Sequence, residues 1–177
     1  MTNNQKKNNE VFSLWLIGPS AAGKTTVSKK IYEKLSDKYK SLILLDGDHV
    51  RKIFANESGY DPISRSKNIR KYVNIVNWLN SFKVSTIVAA INAFEKDREF
   101  SRQQISNYKE IYLKCRIEER IKRDKKKLYL PAIKGEKKNV VDVDISFEDP
   151  INCDLIIESE KKNPDEIAKN IIESLKL

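Results

Sequence analysis

The segment Gly18-Pro19-Ser20-Ala21-Ala22-Gly23-Lys24-Thr25 fits the spacing G-x-x-x-x-G-K-[ST]. Small residues let successive backbone N–H groups turn inward, and a concave row of such donors suits phosphate. A helix beginning at the end of the segment would aim the positive end of its dipole at the same anion. Lys24 adds a point charge for β- and γ-phosphates, and the Thr25 hydroxyl can enter the shell of a Mg²⁺ ion. Gly18, Ser20, Ala21, Ala22, Gly23, Lys24, Thr25 and Thr26 are therefore the expected cradle of a nucleoside triphosphate, with ATP and Mg²⁺ as the ligands. The motif specifies a triphosphate, not a reaction. No N-K-x-D guanine-reading motif occurs, and 177 residues are few for a motor ATPase. A small kinase remains.

A second cluster, Leu45-Asp46-Gly47-Asp48-His49-Val50-Arg51, follows an apolar run. In an open parallel sheet, ligands lie beyond the carboxyl ends of the strands, so Asp46 and Asp48 should stand near the phosphate cradle. A carboxylate there, Asp46 or Asp48, can take the proton of an acceptor hydroxyl or hold Mg²⁺ through water, beside Lys24 and the Thr25 hydroxyl. The plainer alternative is an Asp-Gly turn with solvated carboxylates. Arg65 and Asn68 are three residues apart on an expected helix and share a face. With Arg51, and Arg70 as a further candidate, they would grip an anionic acceptor, or they form a solvated polar face. His49 reads as a turn histidine. Lys122 to Lys138 holds eight Lys or Arg against two acids, either a solvated run or a basic lid that closes over phosphorylated ligands and excludes water.

The elements that must position these groups are legible as alternating patterns. Val11–Ile17, Ser41–Leu45, Val84–Ile91, Glu110–Cys115 and Asp154–Ile157 read as strands, most of them apolar on both faces. Helices are expected from the glycine motif to Leu35, from Asp61-Pro62 to Ser81, over Phe94–Asn107, over Arg116–Lys125 and from Asn163-Pro164 to the end, the last with a capping box at Glu166. Lys126–Asp144 has no period and reads as a loop or lid. Trp15, Trp78, Cys115 and Cys153 read as core. The fold class is α/β, a parallel sheet with helices on both faces and right-handed crossovers. Residues 1–10 are a polar tail and 11–177 a single domain, with the lid at about 126–144.

Composition narrows the setting. The hydrophobic fraction is 40%, the charged fraction 33% and the formal net charge +9. The surplus suits polyanions or small phosphorylated substrates. Two cysteines and one histidine exclude a disulfide scaffold, a four-cysteine zinc site and a histidine-rich metal centre. No apolar run reaches membrane-spanning length and no secretory segment opens the chain, so a cytoplasmic protein is expected, with no membrane partner. A nucleic-acid-binding ATPase would need a basic groove interleaved with aromatics, whereas the basic residues here concentrate in one segment.

Beyond the tail, nearly the whole chain resembles the adenylylsulfate kinase family. Gly18–Thr26 is similar to its G-L-S-G-A-G-K-T-T, Leu45–Arg51 to L-D-G-D-N-V-R, and Arg65, Asn68, Ile69 and Arg70 to D-R-x-E-N-I-R-R. Arg123, Asp124, Lys126, Leu128, Tyr129, Ala132, Gly135 and Lys138 fit R-D-x-K-G-L-Y-x-K-A-x-x-G-x-I-K, and Phe147, Glu148 and Pro150 fit Y-E-x-P. The resemblance implies a P-loop kinase fold and transfer of the ATP γ-phosphoryl, with Mg²⁺, to a ribose 3′-hydroxyl. It implies Asp48 as base or metal-side carboxylate. Asp46, Arg51, Arg65, Asn68, Ile91, Asn92, Lys126, Leu128 and Lys138 become the acceptor-binding set, and pairing as a homodimer is implied as well.

The departures gather on the acceptor side. The family's F-T-G-I-D, whose Phe stacks on the acceptor base, stands here as Val140-Val141-Asp142-Val143-Asp144, which forfeits a stacking contact of about 1–3 kcal/mol. Its I-S-P is Ile91-Asn92-Ala93, and the Asn of its D-G-D-N is His49. A changed base wall beside an intact donor side implies a changed acceptor. Cytidine 5′-diphosphoramidate, the acceptor of a family relative in bacterial capsule biosynthesis, is the preferred expectation. Adenosine 5′-phosphosulfate is the alternative.

Overall fold

The computed structural model describes residues 10–54 and 59–177, and the expected tail lies outside them apart from the exposed Glu10. In chain order the elements are β1 (Ser13–Ile17), α1 (Lys24–Leu35), β2 (Leu42–Asp46), α2 (Gly47–Ile53), α3 (Pro62–Ser81), β3 (Ser85–Ala89), α4 (Glu95–Gln104), β4 (Tyr108–Lys114), α5 (Ile117–Arg123), α6 (Tyr129–Ile133), β5 (Leu155–Glu158) and α7 (Pro164–Leu175). The strands form a parallel five-stranded sheet in the order β2-β3-β1-β4-β5.

β1 explains the layering. Leu14 and Leu16 meet Val27, Ile31 and Leu35 of α1 and Ile167, Ala168 and Ile171 of α7. Their neighbours Trp15 and Ile17 point the other way, into Ile69, Tyr72, Val73 and Val76 of α3. A strand covered on both faces has no wet side, so its sequence is apolar throughout rather than alternating. Each such fully buried aliphatic side chain contributes roughly 1.5–3 kcal/mol. The caps are local: the Asp61 carboxylate accepts from Ser64 N at 3.0 Å, and Asn163 and Glu166 bond each other's backbone N–H groups at the start of α7.

Register positions the site. Leu16 lies opposite Ala89 on one side and Ile111 on the other, and Asp46 lies opposite Ala89. The carboxyl ends of β1, β2 and β3 therefore finish level, and the loops that follow them emerge side by side.

Three expectations change. The alternative of an Asp-Gly turn gives way to a helix: α2 begins at Gly47, because the Asp46 carboxylate accepts from Asp48 N and caps it. The loop of Lys126–Asp144 contains α6. Trp78 is 63% exposed, not core. It lies nine residues, or two and a half turns at about 3.6 residues per turn, beyond the buried Ile69, so it faces away. Cys115 is buried, whereas Cys153 is half-buried in the approach to β5. No helix among the described residues is long and apolar enough to cross a membrane.

Candidate active site

The glycine-rich turn after β1 is built by two backbone requirements. Gly18 has φ 144°, and a Cβ there would come within 2.7 Å of the Leu113 carbonyl oxygen. Gly23, at φ 96°, is the N-cap of α1, a left-handed conformation that strains any other residue. Ala21 takes a left-handed φ of 59° between them. Lys24 folds back over this turn, its Nζ donating to the Pro19 carbonyl at 2.6 Å. Withdrawal from water, with Lys126 adding repulsion, brings its ammonium down to a pKa of about 7.

Asp46 closes the other side. One carboxylate oxygen accepts from Thr25 Oγ1 at 2.6 Å and the other from Asp48 N at 3.1 Å. The residue is buried, and it locks the phosphate turn to the start of α2. Thus Asp46, rather than Asp48, meets the Thr25 hydroxyl. The Asp48 carboxylate points across the opening and is ion-paired with Lys126 of the lid. Among the described residues no three His, Cys, Asp or Glu gather as a metal cage. A hydroxyl and a carboxylate beside a phosphate cradle are nevertheless the donors Mg²⁺ uses when it keeps waters and substrate oxygens in its shell.

These groups line one cleft of about 800 Å³. Ser20, Ala21, Gly23, Lys24, Thr25 and Thr26 form its floor, and Asp46, Asp48, Arg51, Arg65, Asn68 and Ile91 line the side below β2 and β3. Lys126, Leu128 and Lys138 come from the lid, and on the β4–β5 side Arg123, Ser159, Lys162 and Pro164 complete the wall. The expected residues are therefore brought together, with three exceptions. Gly18 and Ala22 pack beneath the turn and do not line the cleft. Asn92 is fully buried, and its amide atoms make no hydrogen bond among the described residues. It contributes its carbonyl to Arg98 at 2.8 Å, a structural contact behind the cleft.

Arg65 is used differently from a simple anion grip. Its Nε donates to the Tyr60 carbonyl at 2.7 Å and an Nη to the Asn139 carbonyl at 2.8 Å, so it ties the approach to α3 to the end of the lid. Burial and the neighbouring Arg51 depress its pKa to about 10, which leaves it cationic at neutral pH. Arg51 stacks over the Tyr60 ring with its Cζ 4.5 Å from the centroid.

Residue chemistry alone does not mark several of the lining or bracing residues. Tyr60 is the exposed aromatic of the cleft, and its place just before the Asp61 cap was the only signal for it. Tyr72 donates to the Gly47 carbonyl at 3.1 Å, and burial pushes its pKa up. Asp124 starts the lid, accepting from Leu128 N at 2.6 Å and Tyr129 N at 2.8 Å. Val140 and Val141 line the cleft but are buried, so they offer aliphatic edges and no stacking face.

A sequence model of the adenylylsulphate kinase family matches residues 10–158. The chain is 40% identical over 170 residues to a cytidine diphosphoramidate kinase of Campylobacter jejuni, covering 96% of this chain and 99% of that one. It is 33% identical over 164 residues to an adenylyl-sulfate kinase of Clostridium acetobutylicum, covering 92% and 82%. Among solved structures, the Mycobacterium tuberculosis APS kinase CysC in complex with AMPPNP and APS superposes with a TM-score of 0.88 at 26% identity, over 94% of this chain and 98% of that one.

Proposed function

Because the chain belongs to the adenylylsulphate kinase family, and is a kinase of that family, we propose that it transfers the γ-phosphoryl group of ATP to the ribose 3′-hydroxyl of a 5′-modified nucleotide, cytidine 5′-diphosphoramidate. The observation that carries the acceptor is the aliphatic wall at Val140 and Val141, together with the 40% identity to a cytidine diphosphoramidate kinase. A small pyrimidine needs less stacking area than adenine, and a diphosphate-type chain suits a wall bearing Arg51, Lys126, Lys137 and Lys138. Adenosine 5′-phosphosulfate is the second reading, favoured by the solved relative that holds it.

In this reading the turn amides and Lys24 hold the β- and γ-phosphates. The bond from the 3′-oxygen to the γ-phosphorus forms as the bond to the β,γ-bridging oxygen breaks, and the hydroxyl proton passes to Asp48. Mg²⁺, held at Thr25 and through water at Asp46 or Asp48, would neutralise phosphate charge when bound. Lys126 would exchange its contact with Asp48 for the acceptor's anionic group. An exposed ion pair of this kind is weak, so the exchange costs little. ATP would be offered with each acceptor in parallel coupled assays, using wild type, Lys24→Ala and Asp48→Asn. The cytidine compound should show the higher kcat/KM. Lys24→Ala should lose about two or more orders of magnitude in turnover, and Asp48→Asn should lose turnover while retaining ATP-analogue affinity. A preference for the sulfated nucleotide would replace the acceptor, and wild-type turnover in Asp48→Asn would remove the base.

A further inference from the structure

A buried cation sits where the reading above needs none. Arg120 of α5 is 3% exposed, and among the described residues its guanidinium hydrogen-bonds neither the triphosphate turn nor the acceptor residues. Its two terminal nitrogens point in different directions. One donates to the Tyr129 hydroxyl at 2.8 Å, and Tyr129 in turn donates to the Ser20 carbonyl at 2.8 Å, inside the phosphate turn. The other donates to Asp142 at 2.6 Å. Asp142 stands where the family motif has glycine, and it keeps a left-handed φ of 69°. An L residue in that conformation is strained, least so for Asp or Asn, and burying a guanidinium is costly unless it is paired. Two unfavourable choices made together imply that the contact between them does something.

What the contact joins is informative. Asp142 lies in the tight turn of residues 139–145, in which the Asp144 carboxylate accepts from Asn139 N and Val140 N, both at 2.6 Å. That turn carries Val140 and Val141 of the acceptor wall, and its Asn139 carbonyl receives Arg65 at 2.8 Å. A continuous line of hydrogen bonds therefore runs from the phosphate turn through Tyr129, Arg120 and Asp142 to the acceptor wall. Burial raises the Tyr129 pKa to about 12, so the phenol keeps its proton and can donate and accept at once.

Resting on the kinase reading, we propose that Arg120, with Tyr129 and Asp142, is a positioning residue that couples the donor turn to the acceptor wall. Donor occupancy is then transmitted to residues 139–145.

The test is backbone amide exchange of the full chain with and without AMPPNP and Mg²⁺, which needs no acceptor. In wild type the nucleotide should slow exchange both at residues 18–26 and at 139–145, the latter by about tenfold, within the usual range of coupling between sites. Tyr129→Phe removes both bonds of the hydroxyl, the one it donates to Ser20 and the one it accepts from Arg120, and leaves the Arg120–Asp142 pair intact. It should keep protection of 18–26 and an AMPPNP Kd within about twofold of wild type, yet lose the response at 139–145. Asp142→Gly alone strands a buried cation, so the paired variant Arg120→Met/Asp142→Gly, which removes both charges, provides the second measurement. It should fold with a wild-type Tm and show the same uncoupling. Variants that transmit protection to 139–145 as wild type does would overturn the tether while leaving the kinase reading standing. So would a Tyr129→Phe protein that loses both responses together with a lowered Tm, since the link would then serve folding alone. A wild-type chain whose residues 18–26 ignore AMPPNP would overturn the kinase reading itself, and the tether with it.

Discussion

Lys24 is the residue whose electrostatics the fold changes most usefully. Its ammonium, drawn into the turn and repelled by Lys126, titrates near pH 7. Above that pH the free protein holds it largely neutral. A triphosphate placed at the same nitrogen favours the charged form and raises its pKa again. Binding above pH 7 therefore takes up a proton, and affinity falls as pH rises, by up to about tenfold per unit. Calorimetric titration of an ATP analogue at pH 8, in buffers of differing ionisation enthalpy, should report uptake approaching one proton. A buffer-independent heat would contradict this account. Asp46 is the complementary case: its type and position were legible, its job was not. The sequence marks two carboxylates two residues apart, but only packing assigns one to Thr25 and the α2 cap and leaves the other facing the cleft.

At the level of elements, short helices separate what is local from what is not. α7 was readable because its start is written in four consecutive residues, Asn163 to Glu166, which bond one another. Asn163→Ala removes that box and should cost about 1 kcal/mol in a urea unfolding curve. The loss should appear as an earlier midpoint with an unchanged slope, since the cap alters stability and not the surface exposed on unfolding. α2 and α6 were not readable. α2 has seven residues and α6 five, too few for a hydrophobic period to emerge. Each depends on a carboxylate just outside it, Asp46 for α2 and Asp124 for α6. The basic run read as a lid is therefore not uniform: Asp124 and the buried Tyr129 anchor its start, while Lys126 and Lys138 line the opening.

For the molecule as a whole, the two tryptophans show how far pattern reading reaches. Trp15 is fully buried between β3, β4 and α3, with its ring 5.6 Å from that of Tyr108. Trp78 lies on the outer side of α3 against the edge of Phe82, at 5.5 Å. Trp15→Ala should cost about 3–5 kcal/mol in guanidinium unfolding. Trp78→Ala should cost under about 1.5, the worth of one aromatic contact. Equal losses would mean that α3 packs differently. Residue type alone could not separate them, because the difference is which way a helix turns toward the sheet. Local sequence was enough for the phosphate-binding turn and for the alternation of strands and helices, since each is carried by neighbours a few residues apart, where backbone geometry fixes the outcome; the kinase family rests on motifs matched in order along the chain. It took the assembled fold to show that Asp46 partners Thr25, that Arg65 reaches Asn139, 74 residues away, and that a buried Arg120 bridges Tyr129 and Asp142 at the two ends of the lid. Such contacts arise when the sheet brings loop ends level, and distance along the chain says nothing about which side chains then meet.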